Sequence, residues 1–372
     1  MPLRKNKTNR PENSSSARTY QPFTAKLIWQ EVAPHTWPAA IIPVLLAVVL
    51  SSHMIQQPLH GALIPAGINA LIEPDLITVC ALLLIAILMQ SSVNVFNDYY
   101  DFIKGNDTIE NSSTDTSDAV LVYNNINPRS VFTLAIGLLV SAFLVGMYIV
   151  AVAGWIPLAI GVIGAFFVAI YSAGKTPISY YPIGEAVSGI VMGGLITLAS
   201  SYVLTGCLDF RVLIWSLPVI IGIGLIMLTN NTCDIEKDRD ASRKTLSAII
   251  GREKARKTYH TALIVWIVLI TLFVAVVPYL YTIAEYHTVQ SATILAPATA
   301  ESARIAAYSD AFQAALKGLT VVPFMLLAVY PQMRALWNNP LTSKSRDAAM
   351  PQCLSVNITL GLFYCIGLLL AA

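Results

Sequence analysis

Two short stretches of this chain combine side-chain amides and carboxylates at helical spacing. The first holds Asn94, Asn97, Asp98 and Asp101, followed by Asp107. The second holds Asn230, Asn231, Asp234 and Asp238, followed by Asp240. In the first stretch the i, i+3, i+4, i+7 pattern places all four leading residues on one helix face. Asn231, Asp234 and Asp238 repeat that arrangement on a helix of their own. Faces of amide and carboxylate oxygens hold hard divalent cations. Mg²⁺ is the natural choice, because it binds through one or two carboxylates and completes its shell with substrate phosphate oxygens. Metal ligation therefore falls to Asn97, Asp98, Asp101, Asp234 and Asp238, with the four aspartates carrying the chemistry. Asn94, Asn230 and Asn231 join the substrate-binding set. Basic residues follow both stretches: Lys104 after the first, and Arg239, Arg243 and Lys244 after the second. They are candidates to balance a diphosphate, for which the arginine fork is well shaped.

The elements that must position these faces are membrane helices. The chain has 372 residues, of which 56% are hydrophobic and 12% charged, and its mean hydropathy is +0.65. Soluble domains carry about 25% charged residues. Apolar runs of the length that crosses a bilayer core recur along the chain. The pattern predicts nine, at 36–54, 76–97, 130–153, 155–172, 182–204, 211–232, 258–281, 316–337 and 353–371. With the N-terminus in the cytoplasm, all of the 23 basic residues except Arg211, Arg304 and Lys317 fall on the inner side, as the positive-inside rule requires. Both acidic stretches then lie at the cytoplasmic face of a multi-pass protein of the cell membrane. Residues 1–28 read as a disordered cytoplasmic tail, and 29–372 as one all-α transmembrane domain around a central cavity. Residues 102–118, polar and tethered to the first stretch, read as a lid. Residues 282–315 read as an outer loop in which 300–318 can form a helix.

Several classes drop out. No basic and aromatic stripe points to nucleic acid, and no P-loop, dinucleotide fingerprint or nucleophile elbow occurs. Cys80, Cys207, Cys233, Cys353 and Cys365 make no metal-binding spacing. The small residues Gly189, Gly193, Gly194, Gly222 and Gly224 suit close helix packing.

The motifs also resemble a known family. Asn97-Asp98-x-x-Asp101 and Asp234-x-x-x-Asp238 are similar to the two Asp-rich motifs of the UbiA superfamily of intramembrane prenyltransferases. Asn94 to Asp107, and Asn230 to Leu246, resemble the menaquinone branch, 1,4-dihydroxy-2-naphthoate polyprenyltransferase. Tyr171-Ser172-x-x-Lys175-x-Pro177, with Gly184-Glu185 after it, and the opening Pro34-His35-Thr36-Trp37-Pro38-Ala39 add to the likeness. It covers most of residues 27–281. The resemblance implies a UbiA-type helical fold and Mg²⁺-dependent transfer of a polyprenyl group from its diphosphate to a small aromatic acceptor, with membrane lipid around it. It adds Tyr171 and Lys175 to the substrate-binding set. Two other readings stay open from the sequence: a family member acting on another quinone precursor or a lipid or sugar phosphate, and a cation-coupled transporter. The transporter is disfavoured because its carboxylates belong near the bilayer midplane.

Overall fold

The computed structural model describes residues 20–55, 75–109, 119–174, 176–292 and 297–371. Every regular element among them is helical. The first described helix begins at Ala25, four residues before the expected start of the domain at 29. The helix Ala25–Glu31 is capped by Thr24, whose hydroxyl accepts from the Leu27 amide. Residues 1–19 lie outside the described residues.

Apolar helices stand at each of the nine expected positions, but they are not nine equal spans. Six helices among the described residues are long and apolar enough to cross a membrane: Leu76–Lys104, Pro128–Ala153, Gly184–Thr205, Arg252–Leu280, Glu301–Asn338 and Ser343–Ala371. A seventh is a bent pair, Ala25–Thr36 and Pro38–Ser52, kinked by 49°. Ile156–Ser172 and Leu217–Cys233 have 17 residues each, short of the roughly 20 that a spanning helix needs. Proline sets several of these limits: Pro128, Pro157 and Pro218 occupy first-turn positions, where the missing N–H costs nothing.

The expected outer loop is mostly helix. Arg252–Ala292 runs 11 residues past the expected end at 281, and Pro297–Leu319 follows. The two pack on one another, as do Leu76–Lys104 with Pro128–Ala153 and Val321–Asn338 with Arg346–Ala371.

The main core is built from Leu46, Leu50, Tyr259, Trp266, Met325 and Tyr364 with their neighbours. Leu217–Cys233 sits at its centre and lies close against the stretch Gly189–Leu195, a π-helical segment within Gly184–Thr205. A Cβ added at Gly189 would come within 2.5 Å of the Ile220 carbonyl oxygen, and one at Gly193 within 2.8 Å of the Ile220 nitrogen. Backbone approaches this close admit only glycine, so these positions pack helices. Outward faces carry large apolar side chains such as Leu144, Phe166, Val268, Leu327 and Leu369, as expected where lipid is the solvent. This is a multi-pass membrane protein.

Candidate active site

The two acidic stretches end different helices and face one cavity of about 340 Å³. Its polar end is lined by Asn94, Asn97, Asp98, Asp101 and Asp107 from one side, and by Asn230, Asn231, Asp234, Lys237 and Arg243 from the other. Its apolar part is lined by Phe167, Val168, Val187, Val191, Met192, Ile223, Ile226 and Met227. Tyr171, His35, Glu31 and Arg346 also line it.

The first side is one unbroken helix, Leu76–Lys104. It ends because Gly105 adopts φ +72°, a left-handed cap that costs glycine little. The chain then folds back on itself: the Asn106 and Asp107 amides donate to the Asp101 carbonyl, at 2.9 and 3.3 Å. The Asn106 side chain donates to Asp101 Oδ1 at 2.9 Å and to the Tyr180 hydroxyl at 2.8 Å. Asn97 donates to Asp101 Oδ2 at 3.3 Å and accepts from Ser172 at 3.2 Å. Asn94 donates to the Val32 carbonyl and to Thr36, at 3.1 and 2.8 Å, and accepts from Gln90 at 3.3 Å. The amides therefore hold the helix face in place. Asp98 is different. Its Oδ2 accepts one long bond from the Leu121 amide, 3.4 Å, and its Oδ1 is buried with no partner.

The second side is broken. Leu217–Cys233 stops at Asp234, whose φ of −98° and ψ of 17° are not helical, and Ile235–Asp240 starts a new direction. The continuous face expected for Asn231, Asp234 and Asp238 is thereby split. Asp234 faces the cavity, 3.4 Å from Arg346 Nε. Asp238 turns away from it and is only 2% exposed. There it accepts from Thr245 at 2.8 Å and lies 3.6 Å from Arg243. The reason is local: Ser242 takes φ +57°, which swings Arg243 and Thr245 back onto Asp238. Burial pushes the Asp238 carboxyl up to about 6, against the pull of Arg243 and Thr245. Burial also raises Asp234, with Arg346 opposing. Burial works against the charge on Arg243, but Asp101 and Asp238 outweigh it and hold its guanidinium above its ordinary value.

The basic candidates separate. Arg243 lines the cavity and stacks 5.0 Å over the Tyr180 ring. Lys104 instead donates to the Ser172 carbonyl at 2.7 Å, so it joins two helices outside the lining. Arg239 donates to the Ala248 carbonyl at 3.2 and 3.0 Å, and Lys244 is exposed away from the cavity. Lys175 lies outside the described residues, as do 110–118 of the expected lid. The described start of that lid is anchored, because Asp107 pairs with Lys237 across the two acidic sides. Arg252, outside the cavity, donates to the Thr232 and Leu341 carbonyls and to Glu236.

Three contributors were not singled out by spacing. Arg346 comes from the start of the last helix and donates to Asn230 Oδ1 at 2.8 Å. Glu185 accepts from Asn231 at 2.9 Å; its place after the Tyr171 motif was the available signal. Glu31 ends the first short helix. Among the described residues, the non-glycine positions with positive φ are Ala33, Ser242 and Leu341, each within a few residues of a cavity-lining side chain. Such strain, of order 1–3 kcal/mol per residue, concentrates at functional sites.

The donor set suits a hard divalent ion. Among the described residues no three acidic, histidine or cysteine side chains converge on one point to hold a metal alone. Mg²⁺ does not require that, since substrate phosphates and water complete its shell. The unpartnered, buried Asp98 Oδ1 is the kind of atom such an ion satisfies.

A helical membrane domain with such a cavity defines a class, and the comparisons place the chain in it. Residues 59–317 match the UbiA prenyltransferase family. The chain is 31% identical over 281 residues to 1,4-dihydroxy-2-naphthoate octaprenyltransferase of Bacillus subtilis (strain 168), covering 75% of this chain and 83% of that protein. Its fold is similar to that of a digeranylgeranylglyceryl phosphate synthase, with a TM-score of 0.51, 15% identity and coverage of 92% and 98%. It is also similar to a UbiA homolog from Archaeoglobus fulgidus bound to DMAPP and Mg²⁺, with a TM-score of 0.50, 12% identity and the same coverage. The chain belongs to the UbiA prenyltransferase family. It is a prenyltransferase, which sets the transporter reading aside.

Proposed function

We propose that this protein transfers a polyprenyl group from an allylic polyprenyl diphosphate to 1,4-dihydroxy-2-naphthoate, in a Mg²⁺-dependent reaction of menaquinone biosynthesis. The observation that carries the reading is the meeting of the two acidic sides at the polar end of a cavity whose remainder is apolar. Likeness to the Bacillus subtilis octaprenyltransferase supports the naphthoate acceptor and the long prenyl donor.

Asn97, Asp98 and Asp101 on one side and Asp234 on the other would hold the metal. Bound Mg²⁺ supplies the positive charge that lets carboxylates accept a diphosphate and that stabilises its departure. Lys237, Arg243 and Arg346 surround the same space with fixed cations, suited to phosphate oxygens. Asp238 acts from behind the cavity, fixing Arg243 rather than reaching the substrate. The apolar walls accept the prenyl chain and keep water from the allylic cation formed when the C1–O bond breaks. Tyr171 lines the same cavity, and an aromatic ring there would favour that positive charge. The electron-rich ring of the acceptor then forms the new carbon–carbon bond, and loss of its carboxylate as CO₂ restores aromaticity. The acidic sides face the cytoplasm of a cell membrane in this reading, with the N-terminus inside.

The test uses purified protein in detergent or nanodiscs with Mg²⁺, labelled prenyl diphosphates and a panel of aromatic acceptors. A prenylated product from dihydroxynaphthoate, together with restored menaquinone in a bacterium lacking its own dihydroxynaphthoate prenyltransferase, is the expected result. Product from a different acceptor, without restored menaquinone, overturns the acceptor assignment while leaving the prenyltransferase intact.

A further inference from the structure

Glu31 is the last residue of the helix Ala25–Glu31 and is 4% exposed. Both its carboxyl oxygens are buried without a hydrogen-bond partner, and no described cation pairs with it. It stands beside Asp98, whose Oδ1 is also unpartnered, on the wall of the same cavity. Three separate penalties bear on this carboxylate. Burial removes its water. Asp98 repels it. The C-terminal end of its own helix presents carbonyls, which disfavour negative charge. A surface glutamate would avoid all three. The two carboxyls lie within hydrogen-bonding reach of one another, so a proton held between them satisfies one pair of oxygens. When both acids are ionised, the three buried oxygens have no other donor among the described residues and are what a divalent cation would satisfy together.

We propose that Glu31 is a further metal ligand, joining Asp98 to hold the cation of the first acidic side and tying the entry helix to it. The proposal rests on the metal-and-diphosphate reading of the cavity. It gives the site a carboxylate from outside both Asp-rich motifs. The left-handed backbone of Ala33 follows two residues later and turns the chain from this helix toward Thr36, which in turn receives a hydrogen bond from Asn94. The entry segment is thus fixed to the first acidic side at two points.

The test is binding of Mn²⁺, a spectroscopic substitute for Mg²⁺, followed by electron paramagnetic resonance on the full-length detergent-solubilised protein without substrate. Thermal melts with and without Mg²⁺ run beside it. Loss of a supporting carboxylate should weaken Mn²⁺ affinity by about 10–100-fold, so Glu31→Gln is expected to do this while its metal-free melting temperature stays level or rises, because repulsion from Asp98 is gone. Its stabilisation by Mg²⁺ should shrink accordingly. Glu31→Asp keeps the charge and should recover part of the affinity, which separates ligation from a folding defect. Asp98→Asn is the reference. If Asp98→Asn loses Mn²⁺ and Glu31→Gln binds within twofold of wild type, the Glu31–Asp98 pair shares a proton or contacts the acceptor, and the proposal is overturned. If neither variant changes Mn²⁺ binding, the metal reading of the whole cavity falls with it.

Discussion

The two acidic sides of the cavity look alike in sequence but solve their charge in opposite ways. The first is a continuous helix whose amides are all engaged, while Asp98 is left with an unpartnered buried oxygen. The second is broken at Asp234, and there the acids meet arginines: Asp234 with Arg346, and Asp238 with Arg243. Lys237 even reaches across to Asp107 of the first side. The difference teaches that the shortage of positive charge is local to Asp98, since Arg243 and Lys237 reach Asp101 and Asp107 from the second side. A cation is therefore needed first at Asp98, whereas the arginines of the second side are available for phosphate oxygens.

The largest effects should come from the cavity-facing acids. Asp98→Ala and Asp234→Ala are each expected to lower kcat/KM by roughly 10³-fold or more, with the protein still folded in the membrane. Excess EDTA should do the same to the wild type. The comparison predicts a difference in a second readout: Asp98→Asn should cost more Mn²⁺ affinity than Asp234→Asn, because Arg346 already offsets Asp234. Equal losses would show that the two sides bind metal alike.

Arg346→Gln comes next. It removes both the partner of Asp234 and a hydrogen bond to Asn230. A loss of about 10–100-fold in kcat/KM, carried mainly by a higher KM for the prenyl diphosphate, is expected if the guanidinium serves phosphate. A loss confined to melting temperature would instead assign it to holding the last helix in place.

The sequence made the two sides legible because helical periodicity and residue type suffice to put Asn94, Asn97, Asp98 and Asp101 on one face. It failed where one backbone torsion decides. Nothing in Asn231, Asp234 and Asp238 announces the break at Asp234, so spacing alone puts Asp238 on a cavity that it does not line. Glu31 and Arg346 were missed for another reason: each comes from an element far along the chain, and spacing cannot reveal a partner that only tertiary packing supplies. The span count met the same limit. Hydropathy places an apolar helix at each of the nine positions among the described residues, but the kink at Thr36, the early start of Glu301–Asn338 and the two 17-residue helices lie beyond what it can show. Residues 282–315 read as a loop because they are weakly apolar, yet alanine and glutamate keep much of that stretch helical.

A smaller effect tests the link between the sides. Asp107→Asn and Lys237→Gln should each reduce kcat/KM by about 3–10-fold, and the double variant should lose less than the product of the two, since both remove one interaction. Fully multiplicative losses would mean that the pair is not coupled in the working enzyme and that Lys237 acts on the substrate alone.

The smallest effects belong to the basic residues that follow the second acidic stretch but lie away from the cavity. Lys244 is exposed, and its backbone amide, not its ammonium group, makes the contact with Tyr180 at 2.8 Å. Lys244→Gln should leave kcat/KM within about twofold, because an exposed charge is screened over roughly 8–10 Å. Arg239 differs from it in what the side chain holds. Its guanidinium ties Ile235–Asp240 to the Ala248 carbonyl through two partly buried hydrogen bonds, so Arg239→Gln should lower the melting temperature by about 2–4 °C, the equivalent of roughly 1 kcal/mol, with activity within about threefold at low temperature. Arg243, four residues further on, lines the cavity, and Arg243→Gln should lower kcat/KM well beyond either. If instead Lys244→Gln matched Arg243→Gln, the positive charge of this stretch would be acting as a diffuse field on an anionic substrate, and the separation drawn between cavity-lining and structural cations on the second side would fail.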